Sequence, residues 1–112
     1  MKDTPIILHI DLKTDSVYHW LKENRYIIFS ELIRYSEILI KEDLNDIQAI
    51  MVSNFVDNIV FILKRENVNF TLEKAMDYFM SIEEYEQCAR IRDLYILIEN
   101  SKNERRNIKN RF

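Results

Sequence analysis

The side chains that could support catalysis or metal binding are few and widely separated in this sequence. Cys88 is the only cysteine, and the two histidines, His9 and His19, are ten residues apart. A thiol beside an imidazole can act as a nucleophile, and both groups bind zinc, but a structural zinc site needs four ligands at short, regular spacing. The sequence lacks that spacing, so we predict no catalytic centre, no metal site and no cofactor.

Two pairs of adjacent acids, Glu42-Asp43 and Glu83-Glu84, could in principle perform acid-base chemistry. Both pairs stand where we expect helices to begin, and negative charge is favourable at that end of the helix dipole. The chain also contains no glycine, which excludes the phosphate-binding loops and nucleophile elbows that depend on it. These observations predict a protein that is not an enzyme.

Composition indicates one small domain of 112 residues with 47% hydrophobic residues and a net charge of -3. A single cysteine is typical of a reducing, cytoplasmic setting. The apolar run Ile6 to Ile10 is too short for a signal peptide or a membrane span, so we expect no membrane association. The scarcity of glycine, proline and alanine, four residues together, suggests an AT-rich bacterial or phage genome.

The elements that would position these residues are predicted to be mainly helical. Every second position of the N-terminal segment is apolar, at Ile6, Leu8, Ile10 and Leu12, which favours a short strand. This strand would pair with Val68 to Phe70, with a second copy or with a partner. Alternatively, the segment packs as an extended arm. From Ser16 onward apolar residues recur every three or four positions, which predicts one long helix or two short ones. Asn24 interrupts the apolar stripe, so any kink or turn is expected between Lys22 and Tyr26. Asp43 is the expected N-cap of a further helix from Leu44 to Arg65, apolar almost all round.

Capping residues predict a helical hairpin in the second half of the chain. Thr71 is expected to cap a helix from Leu72 to Met80, and Ser81 with Glu84 has the spacing of a capping box for a helix from Ile82 to Asn100. The sequence therefore predicts an all-α fold of about four helices in a small bundle, with a short N-terminal strand and a C-terminal helical hairpin. Its segments are an extended part (1–13), a helical core (16–66), the hairpin (71–100) and a basic tail (101–112).

Residues Leu72 to Glu99 resemble the UVR-type helical hairpin, found in excinuclease subunits B and C, some Clp-type ATPases and activators of protein-arginine kinase. The family pattern is Tyr or Phe, Glu, any, Ala, Ala, any, Leu or Ile, Arg, Asp, any, Ile. This chain matches it at Tyr85, Glu86, Ala89, Ile91, Arg92 and Asp93. Cys88 replaces the first alanine, and Tyr95 stands where an aliphatic residue is usual. The resemblance covers about a quarter of the chain and implies protein association, with Tyr85, Glu86, Arg92 and Asp93 as the contact residues.

Charge is distributed unevenly along the chain. Residues 102–112 carry five basic side chains against the single acid Glu104, whereas residues 1–101 carry 11 basic and 18 acidic side chains. A basic tail can contact nucleic acid or an acidic protein, or can simply be the solvated end of a helix. Its candidate contact residues are Lys102, Arg105, Arg106, Lys109 and Arg111.

We thus expect a non-enzymatic adaptor or regulatory subunit that binds a larger protein complex through the hairpin. Two alternatives stay open: a nucleic-acid-associated accessory protein that uses the basic tail, and a phage or mobile-element inhibitor of a host protein. A homodimer is compatible with all three, because the helix predicted from Leu44 to Arg65 exposes more apolar surface than one small domain can cover.

Overall fold

The part of the chain that the structure describes contains four α-helices and a three-stranded sheet, so the all-α prediction is wrong. The structure, a computed structural model, describes residues 8–13 and 15–111, the last nine of these by backbone alone. Its elements in order are β1 (Leu8–Asp11), α1 (Val17–Glu23), α2 (Arg25–Lys41), β2 (Asp46–Ser53), β3 (Asn58–Lys64), a 3-10 turn (Arg65–Asn67), α3 (Val68–Ser81) and α4 (Tyr85–Arg111).

The sheet is mixed, with the strand order β1-β2-β3. β1 runs parallel to β2, with Leu8 opposite Ile50, and β3 runs antiparallel to β2, with Val52 opposite Ile59. The alternation in the sequence therefore identified the strand over Leu8–Asp11 correctly. Its partner is β2, however, and not Val68 to Phe70, which lies in α3. The rest of that prediction, residues 1–7, lies outside the described part of the chain.

The helix predicted from Leu44 to Arg65 is replaced by the hairpin of β2 and β3. The segment is rich in β-branched residues, which pack well on a pleated sheet and lose side-chain freedom in a helix. Polar residues interrupt it at Ser53-Asn54 and Asp57-Asn58, where the chain turns. The predicted helical core over residues 16–66 is therefore two helices followed by two strands.

Two helices end in a residue with positive φ, a position usually taken by glycine. After α2, Asp43 has φ 54°, and the N–H groups of Asp43 and Leu44 donate to Ile40 and Leu39 at 3.3 and 2.9 Å. This is the Schellman arrangement, in which a left-handed residue closes the helix end. Asp43 thus ends one helix and does not cap the start of another.

The break predicted at Asn24 is confirmed, because it separates α1 from α2. Ser16 caps the start of α1 by accepting a hydrogen bond from the N–H of His19 at 3.3 Å. The Asn24 side chain donates to the carbonyl of Trp20 at 2.8 Å. These contacts let the chain change direction without glycine.

The core forms around α2, which packs against β2 and β3 and also against α3 and α4. Its buried side chains belong to one cluster with those of the sheet and of the C-terminal helices. The largest fully buried side chain is Phe79 on α3. Its ring lies 5.5 Å from that of Tyr26 and 5.2 Å from that of Tyr78. The C-terminal hairpin is therefore anchored to the rest of the fold by aromatic packing.

Candidate protein-interaction surface

The C-terminal hairpin consists of α3 and α4, which pack together along apolar stripes. Leu72, Ala75 and Phe79 are buried on α3, and Cys88, Ile91, Leu94 and Ile98 are buried on α4. Their spacing of three and four residues places each set on one side of its helix. The Cys88 thiol is therefore a packing group.

The turn between the helices differs from the predicted capping box. Ser81 is the last residue of α3, and its hydroxyl donates to the carbonyl of Tyr78 at 2.6 Å. Glu83 has φ 60°, and the N–H of Glu84 donates to the carbonyl of Phe79 at 2.9 Å, which is a second Schellman arrangement. Thr71 likewise caps no helix, because α3 begins at Val68. The hairpin is present, but a helix C-terminus organises its turn.

All four residues predicted to contact a partner are exposed on α4. Tyr85 and Arg92 are seven residues apart, as are Glu86 and Asp93, so each pair lies on one side of the helix about 10 Å apart. Of the Tyr85 surface, 64% is exposed. Ile96, which the sequence reasoning did not single out, continues the row of Tyr85 and Arg92 and is 59% exposed. We call Tyr85, Glu86, Arg92, Asp93 and Ile96 the α4 outer face.

One side of this face borders α2. Asp93 lines a cleft of about 180 Å³ together with Arg90 on α4 and with Glu37 and Lys41 on α2. The ammonium of Lys41 lies 2.6 Å from the Glu37 carboxylate. The Arg90 guanidinium donates a hydrogen bond to the side chain of Gln87 at 3.0 Å. The Glu86 carboxylate is thus not held by Arg90.

Tyr95 lies half-buried on α4, between the outer face and α3. Burial raises the pKa of its phenol above the usual 10.0, and the nearby carboxylates of Glu73 and Asp77 raise it further. Both effects disfavour the phenolate. The side chain is therefore a neutral packing group at physiological pH, in the place where the UVR pattern has an aliphatic residue.

The basic segment continues α4, whose backbone stays helical to Arg111. Positions 102, 105, 106 and 109 recur at three- and four-residue intervals, which places them on one side of the helix axis. Lys102 lies 3.7 Å from the Glu99 carboxylate in an exposed pair. The predicted tail is thus an extension of α4.

Sequence reasoning missed a second exposed apolar feature, the turn between β2 and β3. Phe55 and Val56 are 86% and 88% exposed at its tip. The Asn54 side chain accepts hydrogen bonds from the N–H groups of Val56 and Asp57 at 2.8 and 2.6 Å, and donates to the carbonyl of Asp15 at 2.7 Å. Placing this turn inside a helix hid it, although Asn54 and Asp57 are typical turn residues.

Within residues 8–13 and 15–102, the candidate metal ligands lie on different elements, His9 on β1, His19 on α1 and Cys88 on α4. No cluster of three potential metal ligands occurs there. His9 instead pairs with the Ser53 hydroxyl across β1 and β2 at 3.1 Å. Within residues 8–13 and 15–111, no helix is long and apolar enough to cross a membrane.

No protein-family model, curated protein or solved structure matches this chain. The resemblance of Leu72 to Glu99 to the UVR hairpin is therefore supported by the matching sequence positions alone.

Proposed function

We propose that this protein is a non-enzymatic adaptor or regulatory subunit that binds a larger protein complex through the α4 outer face. The observation that carries the proposal is the exposure of Tyr85 and Ile96 in one row with Arg92. Tyrosine and arginine are the residue types that most often dominate the energy of protein interfaces. An exposed row of this kind gains stability when a partner covers it.

Charge defines the partner that would fit. Arg92 lies among the acids Glu86 and Asp93 along the helix, so a partner groove with a carboxylate opposite Arg92 and basic groups at its rim would be complementary. The resemblance to UVR-type hairpins, which mediate protein association in their families, supports the same function. The buried thiol of Cys88 is compatible with the reducing cytoplasm in which we expect such a complex.

The test is affinity capture from host lysate with nuclease present, followed by mass spectrometry. The wild-type protein is compared with Arg92→Glu and with Arg34→Glu, which makes the same charge change on α2, at a side chain 60% exposed. Arg92→Glu should lose the stoichiometric partner with an unchanged circular dichroism spectrum, while Arg34→Glu should retain it. Equal capture by wild type and Arg92→Glu would remove the α4 outer face from consideration. The identity of the captured protein also discriminates an adaptor from an inhibitor of a host protein.

A second candidate function is nucleic-acid association through the C-terminal part of α4. Its support is the helical backbone to Arg111, which aligns basic positions along one side, as phosphate-binding helices do. Binding would be electrostatic, so the affinity for a DNA or RNA duplex should fall steeply as salt rises. Deleting residues 102–112 should abolish that binding, whereas Arg92→Glu should change it little.

A further inference from the structure

The strand β3 forms an edge of the sheet and is capped at its last residue, where the N–H of Lys64 donates to the Asn67 side chain at 2.9 Å. Within the described part of the chain, β2 is its only neighbouring strand. Natural edge strands are usually short or interrupted by a charge, a proline or a bulge, which prevents pairing with other chains. β3 has five consecutive apolar residues, Ile59 to Leu63, and the irregularity in the hairpin lies on β2 between Gln48 and Ile50. By contrast, the opposite edge strand, β1, has four residues and contains His9 and Asp11.

At every second residue of β3, the backbone N–H and C=O groups point away from β2. The N–H of Arg65 donates to the carbonyl of Asn45 at 2.9 Å, which continues the ladder between β2 and β3. In an antiparallel ladder the residues that face one neighbour alternate with those that face away. Val60 and Ile62 therefore direct their backbone N–H and C=O groups outward.

The sequence of β3 is complementary to itself in the antiparallel direction. In a pairing centred on Phe61, Val60 lies opposite Ile62 of a second copy, which joins the outward-directed backbone groups of both strands. Ile59 then lies opposite Leu63, so that every apolar residue meets an apolar residue. A pairing centred on Val60 would instead place Ile62 opposite Asn58, and one centred on Ile62 would place Val60 opposite Lys64.

Charge also selects this arrangement. Asp57 directly precedes β3, while Lys64 ends the strand and Arg65 follows it. Antiparallel pairing about Phe61 brings Asp57 of one copy next to Lys64 of the other, twice over, whereas the Arg65 guanidinium already pairs with Asp43 at 2.7 Å. Parallel pairing would instead oppose like charges, which is unfavourable.

Side chains on both faces of the edge can add to the buried area. A stable interface commonly covers about 800 Å² per partner, more than one pair of short strands supplies. On one face Ile62 is 45% exposed. On the other, Phe61 borders an apolar cleft of about 370 Å³ that the first two helices complete with Leu21, Ile28, Phe29 and Leu32.

We propose that β3 is a dimerisation surface whose occupant is β3 of a second copy, giving a continuous six-stranded sheet about a twofold axis at Phe61. This surface shares no residue with the α4 outer face, and dimerisation does not depend on the function proposed for that face. A dimer would present two α4 outer faces, so a partner with two sites would be held more tightly than by a monomer.

The test is the oligomeric state of the full chain, measured by sedimentation equilibrium across about two decades of concentration. Wild type should reach twice the monomer mass of 13.7 kDa. Ile62→Lys should weaken dimerisation by about 100-fold or more, because symmetry repeats the charge in both strands. The matched control is Gln48→Lys, which adds the same charge opposite Ile62 on the central strand and should dimerise as wild type. A monomeric wild type, or a dimer that Ile62→Lys leaves intact, would overturn the proposal.

The register has its own test, which does not depend on how well Ile62→Lys folds. In a Cys88→Ser background, Phe61→Cys should form an intermolecular disulfide under mild oxidation, since residues opposite each other in a non-hydrogen-bonded pair have closely spaced Cβ atoms. Ile62→Cys, displaced from its own copy in this register, should cross-link far less. Equal cross-linking at both positions would contradict a twofold axis at Phe61.

Discussion

Phe79 offers the sharpest test of how the C-terminal hairpin is attached to the rest of the fold. Its side chain is fully buried, and the rings of Tyr26, Phe29 and Tyr78 surround it with centroids 5.2 to 6.4 Å away. Truncation to alanine removes about 2 kcal/mol of hydrophobic burial. The unfilled cavity and the lost ring contacts add about 2 kcal/mol more. Phe79→Ala should therefore lower the free energy of unfolding by about 4 kcal/mol.

The assay is urea denaturation followed by far-ultraviolet circular dichroism, with the slope m checked for constancy between variants. A domain of this size commonly has a stability of about 5–15 kcal/mol, so the midpoint should fall markedly. The control is Phe70→Ala on the same helix. That side chain is 61% exposed, and its loss should cost at most about 1 kcal/mol, including its contact with Lys74. A loss below about 1 kcal/mol for Phe79→Ala would refute the reasoning that Phe79 anchors the hairpin.

Three further predictions concern the phenol of Tyr95 and two turns. Burial and nearby acids raise the pKa of Tyr95 in the folded protein. The contribution of its neutral phenol to the free energy of unfolding is therefore fully present below pH 10 and is lost as the pH rises above that value. The alkaline decrease in urea midpoint should therefore be smaller in Tyr95→Phe. Glu83→Gly should stabilise the protein by about 0.5–1 kcal/mol in thermal unfolding, because glycine adopts positive φ without a steric penalty. Asn54→Ala should cost about 2 kcal/mol and speed hydrogen exchange at the amides of Val56 and Asp57.

The sequence predicts elements best where one periodicity dominates. Strict alternation identified β1, and spacing of three and four residues identified the helices on both sides of Asn24. The segment from Leu44 to Arg65 has no such signal, because β2 and β3 carry apolar residues on both faces of the sheet. Short apolar runs of this kind have the same composition as a buried helix. The apolar tip at Phe55 and Val56 further concealed the turn.

Helix ends misled the prediction for a different reason. Asp43, Thr71 and Ser81 are residue types that favour helix N-caps, yet none caps a helix start. In a chain without glycine, aspartate and glutamate occupy the left-handed positions after α2 and α3. The usual sequence signal for a helix end is then missing. The sequence therefore predicts the beginning of a new helix at the position where α2 ends.

Most residues of the α4 outer face are easier to predict from the sequence than the strands β2 and β3 are. The four predicted contact residues came from the UVR-like pattern, and helical spacing alone places Tyr85 with Arg92 and Glu86 with Asp93. Which apolar residues remain exposed depends on how α3 and α2 cover α4, and this information is tertiary. Ile96 was missed for that reason.

The two surfaces proposed here can be separated because they lie on different elements, α4 and β3. Arg92→Glu should abolish partner capture while the mass at equilibrium stays that of the dimer. Ile62→Lys should give a monomer that still captures the partner, but with a faster release if the partner offers two sites. Loss of both properties in either variant would mean that the sheet and the hairpin are coupled through α2 and α3, which both contact β3 and α4. Such coupling would make partner binding and dimerisation interdependent, because a change at β3 would then reach α4 through the packing of these two helices.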